Sequence, residues 1–501
     1  MKKIIKFLSI TILFIFFINV KADYKVNFNE LNNIREYDNY NDFIIDYKNN
    51  LLPNIYITNF LFDGVSTVKS MDLDKPVEEI KVRVLNINSV GNYELTGTFK
   101  GMVAINTNNI KGEINIILKG VNINTDTKKV PAIYIYNKNI NYLDCKVTIK
   151  PHGIDNYIEG GRLKKVSLMP SNELNKYEDY YSKKNIDNYK NNPNYYGVYT
   201  NKELENILFA KVEADKKGLK DGDPYYFYKA SGVISSDIDL SFNGDGYLKV
   251  VSKNNEGIES KANMSFLGGK GDYEIISYED ALNTTTERVD DNTRNDILID
   301  VNSLVARINL ESDEGDAIDS NGKLIINGGN IYAFAHPTSE DTGLDSPIGI
   351  YLNGGTILAT GNKADEIDDS SQKYMYIKLD DSIEDDSLVV IKDQDNKIIF
   401  AYKTDRSYKT LLYSSSNLDY KSYKVYIGGE IKGKETNGLY TKIDSYRGGK
   451  LIYSSDGNQD NNEPINSTDK TIVIYISILV IVIIGFIISS YINSKKEKDF
   501  Y

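Results

Sequence analysis

The chain has 501 residues, 26% of them charged, and a formal net charge of −12. This acidic balance argues against nucleic acid as a partner, because phosphate backbones are bound by lysine and arginine. The single cysteine, Cys145, excludes an internal disulfide. With only two histidines, His152 and His336, the chain also lacks the ligand set of a zinc site.

The first segments in chain order are a targeting sequence and an irregular β region. Residues 1–22 combine a basic start with a continuous apolar run, which is typical of a secretory signal peptide. Residues 23–159 contain short apolar segments separated by glycine and asparagine, among them GEINIILKGVNIN (112–124) and PAIYIYNKNI (131–140). We predict that 23–159 forms the N-terminal coils of a repetitive β structure.

Residues 160–228 differ from the segments on both sides. They are polar and rich in tyrosine, with a tyrosine cluster over 177–199. The stretch TNKELENILFAKVEADKKG (200–218) predicts a short helix, with Thr200 or Asn201 as its N-cap and Gly218 beyond its end. We expect an insertion that projects from one coil.

Residues 229–370 contain an internal repeat. AIDSNGKLIINGG (317–329) and GLDSPIGIYLNGG (343–355) align without a gap, and diverged copies begin at residues 233, 257, 281 and 366. The period is about two dozen residues once an insertion near 285–295 is subtracted, which indicates stacked repeats. The second position is apolar in every copy, the eighth and tenth are apolar in the copies that begin at 233, 257, 317 and 343, and glycines close the strand. This pattern favours the coils of a right-handed parallel β-helix whose axis is filled by residues such as Ile326.

The chain is expected to end in a second β region and a membrane anchor. Residues 371–453 alternate like antiparallel hairpins and predict a C-terminal β cap, followed by a polar linker over 454–470. Residues 471–492 are uncharged and long enough to span a bilayer. Lysines in the tail 493–501 place that tail in the cytoplasm.

These elements together define the predicted fold class. It is an all-β, right-handed parallel β-helix with an inserted polar segment, a C-terminal β cap and one C-terminal transmembrane helix. The signal peptide and the span predict a single-pass protein of the cell membrane with an extracellular body.

The ordered series of β segments resembles a known family. The residues that carry the resemblance are GDAIDSNGKLIINGGNIYAFA (315–335), IGIYLNGGTILATG (348–361) and SLVVIKDQDNKIIFAY (387–402), with the earlier segments already quoted. The chain resembles the secreted or surface-anchored carbohydrate-binding β-helix proteins whose fold is like that of polysaccharide lyases, over about residues 55–160 and 229–450. The resemblance implies binding of calcium and of plant cell-wall polysaccharide, either acidic pectin-like chains or cellulose, without established cleavage. Ser235 and Asn283 stand where that family has acids.

Acids recur at two positions of the repeat, the third and the one just before the first. In stacked coils such positions lie about 4.8 Å apart. Two like charges at that distance repel by roughly 1 kcal/mol in water and roughly 3–4 kcal/mol at an effective dielectric of 20. A hard cation such as Ca²⁺ would remove this cost, whereas the alternative is that the acids cap turns through bonds to backbone N–H groups. The candidate calcium ligands are Glu256, Glu259, Asp280, Asp316, Asp319, Asp345, Asp365 and Asp368.

Calcium would also allow an acidic protein to hold an acidic polysaccharide, because both sets of carboxylates can share the cation. Aromatic stacking on sugar faces is a second mode of contact. Because the chain has no tryptophan, tyrosine must supply it, and the candidates are Tyr332, Tyr351 and the cluster 177–199.

No catalytic residue is assigned. Lyase chemistry in this fold needs an arginine or lysine beside calcium, and Arg294, Arg307 and Lys323 do not lie in a recognisable catalytic phrase. Three functions remain open: a membrane-anchored, calcium-dependent binding protein for pectin, polygalacturonate or cellulose; a surface lyase or glycosidase on the same scaffold; and a structural adhesin that presents the insertion 160–228.

Overall fold

A computed structural model gives the structure of the protein. It describes residues 23–38, 40–59, 82–125, 130–137, 144–167, 226–253, 255–285, 295–363, 365–368, 370–418 and 422–455. The predicted signal peptide, the transmembrane segment 471–492, the cytoplasmic tail and most of the linker and of the insertion lie outside these residues.

The described residues form 33 strands and one helix. The N-terminal third contains β1 (Asp23–Asn27), β2 (Glu36–Tyr37), α1 (Tyr40–Lys48), β3 (Ile55–Thr58), β4 (Val84–Ile87), β5 (Gly91–Lys100), β6 (Met102–Asn106), β7 (Gly112–Asn124), β8 (Ile133–Tyr136), β9 (Cys145–His152), β10 (Asn156–Gly160) and β11 (Arg162–Ser167). The repeat region contains β12 (Tyr226–Ser231), β13 (Ile234–Ser236), β14 (Leu240–Phe242), β15 (Tyr247–Ser252), β16 (Ile258–Ser260), β17 (Met264–Phe266), β18 (Asp272–Ser277), β19 (Leu282–Thr284), β20 (Ile297–Ile308), β21 (Ile318–Ser320), β22 (Lys323–Phe334), β23 (Leu344–Asp345), β24 (Gly349–Leu352) and β25 (Thr356–Gly361). The C-terminal module contains β26 (Tyr374–Ile383), β27 (Leu388–Asp393), β28 (Ile398–Lys403), β29 (Tyr408–Ser415), β30 (Tyr423–Ile427), β31 (Glu430–Thr436), β32 (Leu439–Arg447) and β33 (Lys450–Ser454).

Eight parallel strands close a ring of backbone hydrogen bonds. Its order is β17, β14, β9, β7, β10, β15, β18, β20 and back to β17. Two long strands complete the ring. β7 pairs with β9 through residues 112–119 and with β10 through 122–124, and β20 pairs with β17 through 297–299 and with β18 through 303–308.

The closed ring shows that the predicted right-handed parallel β-helix is wrong, although the described chain is all-β apart from α1. The physical reason is strand length. A three-residue strand such as β14 pairs with one strand on each side. β7 and β20, with 13 and 12 residues, are long enough for the two ends of each to pair with two different strands, β9 and β10 for β7, and β17 and β18 for β20. The predicted transmembrane helix, 471–492, lies outside the described residues. Within the described ranges, no helix is both long enough and apolar enough to cross a membrane.

The repeats pair in a second sheet of ten strands. Six of them, β8, β13, β16, β19, β21 and β23, are neighbours in chain order and run parallel. Equivalent positions of successive copies face each other, because Ile234 pairs with Ile258, Ile258 with Leu282, Leu282 with Ile318 and Ile318 with Leu344. The predicted register is therefore confirmed for the copies that begin at 233, 257, 281, 317 and 343, even though the fold class is not. The predicted copy at 366 departs from it, because Ile367 forms a parallel bridge with Ile350 instead of Leu344.

One large apolar core lies between the sheets. The inward residues at the eighth and tenth positions of the repeat, among them Leu324 and Ile326, are fully buried in it. Phe242 and Phe266 stack in parallel with ring centroids 4.6 Å apart, which shows how identical side chains fill successive levels.

The C-terminal module joins the repeat region through antiparallel strands. β29 pairs antiparallel with β25, and β26 pairs antiparallel with β29. A separate six-stranded sheet has the order β31, β32, β28, β27, β30, β33. Arg406, which is buried, donates from Nη1 to the carbonyl oxygens of Ile308, Phe334 and Ala335 at 2.8, 3.1 and 3.1 Å and thereby ties the module to β20 and β22.

A charge at Ile326 should prevent folding. The Ile326→Asp variant places a carboxylate in the apolar core, where no partner compensates the loss of hydration. We expect it to lose cooperative thermal unfolding as followed by circular dichroism. Ile325 is the matched control, because its side chain points out of the same strand and is half-buried. Cooperative melting of Ile326→Asp at a temperature close to that of Ile325→Asp would contradict the described core.

Candidate functional site

The structure brings the third positions of the repeat together as one column. Ser235 pairs with Glu259, Glu259 with Asn283, Asn283 with Asp319 and Asp319 with Asp345 along the second sheet. The column therefore contains Glu259, Asp319 and Asp345 in the predicted order, with Ser235 and Asn283 at the levels that lack an acid. We call these five residues the acid column. Asp368, the third position of the predicted copy at 366, contacts Ile350 and is not part of the column.

Acids just before the copies contact the backbone of a neighbouring copy. Asp280 Oδ1 accepts a hydrogen bond from the Asp316 N–H at 2.9 Å, and Asp316 Oδ1 accepts one from the Thr342 N–H at 2.5 Å, so each of these acids contacts the next copy. Asp341 Oδ2 accepts one from the Gly315 N–H at 2.6 Å and so contacts the preceding copy. These carboxylates therefore accept hydrogen bonds from backbone N–H groups, as the alternative to metal binding predicts.

The remaining candidate ligands lie at the two ends of the column. Asp365 Oδ2 accepts from the Ser346 N–H and Asp368 Oδ2 accepts from the Ile350 N–H, each at 3.0 Å. At the other end Glu259 Oε2 accepts from the Ser235 hydroxyl at 3.1 Å. Glu256, which is buried, accepts from Asn255 Nδ2 at 2.5 Å.

Burial and mutual repulsion raise the pKa values of these carboxyls. Burial raises the pKa of Asp316 to about 9, with the Asp280 charge as the next cause. Burial raises the pKa of Asp345 to about 7, and the adjacent Asp365 adds to the shift. Burial also raises the pKa of Asp280 to about 6, and it raises that of Glu256 well above its ordinary value. The charged neighbours that raise these pKa values are acids, so at neutral pH the protonated form of these carboxyls is favoured.

The donor chemistry fits calcium, although the oxygens do not converge on one point. Asn283 Oδ1 is buried without a hydrogen-bond partner, while its Nδ2 donates to Asp280 Oδ2 at 2.5 Å and lies 3.4 Å from Asp319 Oδ2. An orphaned oxygen beside two carboxylates is the ligand type that Ca²⁺ prefers. Over the residues described, however, no three acidic or histidine side chains are arranged as a metal cage.

The two candidate sugar-stacking tyrosines have different surroundings. Tyr332 is buried under the C-terminal module, where its ring stacks on Tyr402 with centroids 5.3 Å apart, so it offers no face to a ligand. Tyr351 is half-buried on β24, and the Lys323 ammonium lies 5.2 Å from its ring centroid. The tyrosine cluster 177–199 lies outside the described residues.

The basic residues considered for catalysis do not form a catalytic group. Arg307 Nη1 donates a hydrogen bond to Asp405 Oδ2 at 2.9 Å, and its guanidinium lies over the Phe334 ring. Arg307 is therefore engaged in these contacts and does not serve as a free base. His336 is buried, and burial lowers its pKa. Arg294 lies outside the described residues.

One recurrent site was missed by the sequence analysis. The residue after each acid-column position carries a hydroxyl that is buried and bonded to a backbone carbonyl oxygen in its turn, as for Ser236 to Ile238, Ser320 to Lys323 and Ser346 to Gly349. The signal was present, because serine or threonine recurs there in every copy from 236 to 346. These hydroxyls fix the corner and so hold each acid at the same place.

Comparison with known proteins gives one match. Neither the curated proteins nor the solved structures include one that matches this chain. A family model described as "Carbohydrate-binding domain-containing protein" matches residues 198–405, a range that includes the acid column from Ser235 to Asp345. The match supports carbohydrate binding in general. Over residues 198–405 the chain therefore matches the carbohydrate-binding domain-containing proteins, which confirms the family part of the resemblance while its lyase-like fold is not confirmed.

Proposed function

We propose that the protein is a membrane-anchored extracellular carbohydrate-binding protein that uses calcium. Its proposed ligand is acidic plant cell-wall polysaccharide of the pectin or polygalacturonate type, or cellulose, which it binds without cleavage. The observation that carries the proposal is the coincidence of the family match with the acid column, because the matched stretch contains four stacked acidic or amide side chains below Ser235. The membrane part rests on the sequence alone.

The proposal assigns the carboxylates of Asp280, Asp316, Asp319 and Asp345, with the orphaned Asn283 oxygen, as the groups that would hold calcium. Calcium, when bound, supplies positive charge that the column and a row of uronate carboxylates can share. Asp280 and Asp316 are anchored to the backbone of the next copy, and strand pairing places Asp319 opposite Asp345. The column would thus present oxygens at regular intervals along the sheet.

A binding assay with and without chelator separates the three functions. We expect the full-length protein to be retained on polygalacturonate in the presence of calcium and to be released by chelator, without new absorbance from unsaturated uronate. Formation of that product, or of reducing ends, would instead favour a lyase or glycosidase. Absence of both retention and product on polygalacturonate and on cellulose would contradict carbohydrate binding and favour the adhesin.

Neutralising two adjacent acids should weaken calcium binding without weakening the fold. The double variant Asp319→Asn with Asp345→Asn keeps the shape of both side chains but removes one directly opposed pair of carboxyls. We expect calcium affinity to fall at least about tenfold, as measured by titration calorimetry. In chelator the variant should melt at or above the temperature of the wild type, because repulsion has been removed. An unchanged calcium titration would leave turn capping as the only role of the column.

The stability of the calcium-free protein should fall as the pH rises. The folded pKa values of Asp280, Asp345 and Asp316, about 6, 7 and 9, lie above the unfolded value of 3.8. Between the unfolded and the folded pKa values, the folded state therefore binds more protons than the unfolded state. The free energy of unfolding therefore decreases from about pH 4 to about pH 9. We expect the melting temperature in chelator to be several degrees lower at pH 8 than at pH 5.

The matched control for this pH dependence is Asp316→Asn, whose amide oxygen can still accept the Thr342 N–H. In this variant the melting temperature should decrease less steeply with pH above about pH 7. Saturating calcium should reduce the decline in the wild type, because metal binding displaces protons from its ligands. An identical pH dependence in wild type and Asp316→Asn would show that the column does not titrate as described.

A further inference from the structure

One face of the six-stranded C-terminal sheet carries two lysines that oppose each other. Lys392 on β27 pairs directly with Lys424 on β30 in an antiparallel register, so both side chains leave the same face. On the neighbouring level Val390 pairs with Tyr426, and on this face Val390 is buried in a small apolar cluster beside which Tyr426 lies half-buried. These strands belong to a different sheet from the strands of the acid column.

The opposed charges of Lys392 and Lys424 are electrostatically unfavourable in the described structure. Like charges directly opposite each other on neighbouring strands destabilise a sheet. The chain has an excess of acids, yet in the part of the chain that the structure describes neither Lys392 nor Lys424 forms an ion pair with a carboxylate. Both side chains are half-buried, so water screens them less than fully exposed lysines. Two neighbouring positive charges of this kind are electrostatically complementary to an anion.

Two tyrosine rings stand beside this pair. The Lys392 ammonium lies 5.0 Å from the ring centroid of Tyr426 and 4.9 Å from that of Tyr446, and the two rings are 6.4 Å apart at 68°. Cation–π contact orients the ammonium without neutralising it. The site thus combines fixed positive charge with aromatic surface.

Tyr446 is held in place by two glycine turns. Its hydroxyl donates to the Gly428 carbonyl oxygen at 3.0 Å. Gly429 and Gly449 have φ values of +93° and +91°, and a Cβ on Gly449 would meet the Tyr446 hydroxyl oxygen. Only glycine allows both turns to approach the ring this closely, so the orientation of Tyr446 is built into the backbone.

We propose that Lys392, Lys424, Tyr426 and Tyr446 form a second saccharide-binding surface, specific for uronate-containing chains and independent of calcium. The inference rests on the proposed carbohydrate-binding function and names a different site for it. The lysines would bind a uronate carboxylate by charge-assisted hydrogen bonds, and the tyrosine rings would contact the apolar face of the sugar. The acid column needs a cation to hold the same ligand, whereas this surface does not.

The test measures binding of a fluorescent oligogalacturonate to the full-length protein in chelator, so that the acid column contributes nothing. We expect Lys392→Gln with Lys424→Gln to weaken binding at least about tenfold and to reduce its dependence on salt. The matched control is Lys146→Gln with Lys150→Gln on β9, which changes the net charge equally and should leave binding within about twofold of the wild type. Lys392→Arg with Lys424→Arg should retain binding, which separates loss of charge from loss of folding.

The outcomes distinguish this surface from the acid column. Calcium-free binding that is lost only in the glutamine pair supports the surface even if the calcium proposal fails. Binding that needs calcium and responds only to Asp319→Asn with Asp345→Asn overturns the surface and leaves the proposed function intact. Equal binding by the glutamine pair and the wild type in chelator, or equal loss in the control pair, also overturns it.

Discussion

The structure depends on one constraint, which is parallel pairing of the repeats in register. Because Ile234, Ile258, Leu282, Ile318 and Leu344 face each other in sequence, any residue type that recurs at a fixed position becomes a continuous row. Rows of apolar residues form the core, and rows of hydroxyls fix the corners. The same constraint forces acids together at the third position, where repulsion rather than attraction results. The acid column is thus a by-product of the arrangement that makes the chain fold.

The sequence predicted which residues of successive copies lie opposite each other, but it did not predict the order in which the strands pair. Periodicity of about two dozen residues was enough to place Asp319 opposite Asp345, because register follows from which side chains must be buried. Ring closure through β7 and β20 could not be predicted, because GEINIILKGVNIN shows alternation but not the partner of each half. Tyr332 was misjudged for a related reason. Its strand position is outward, but the C-terminal module covers that side, and contact with a distant segment leaves no local signal.

The two proposed saccharide surfaces have opposite electrostatic character. Beside and within the acid column, burial raises the pKa values of Asp316 and Asp345, so the protonated form of these carboxyls is favoured. On the C-terminal sheet, Lys392 and Lys424 oppose each other, and Lys392 lies beside two tyrosine rings. One acidic polymer could satisfy both, bridged by a cation at the first and bound directly at the second. A chain that contacts two sites at once is retained more strongly than either site alone would allow.

The reversal of direction at β29 has a consequence for association between molecules. A parallel ladder could in principle be extended by another copy, since its last strand offers unpaired backbone groups to any similar strand. Here β29 runs antiparallel to β25, and β26 then forms the border. The second half of β26 exposes Lys378, Asp380 and Asp381, whose charges discourage a neighbouring strand from adding there. This end of the ladder is thereby protected against end-to-end polymerisation, and a longer version of the protein would have to gain its extra repeats internally.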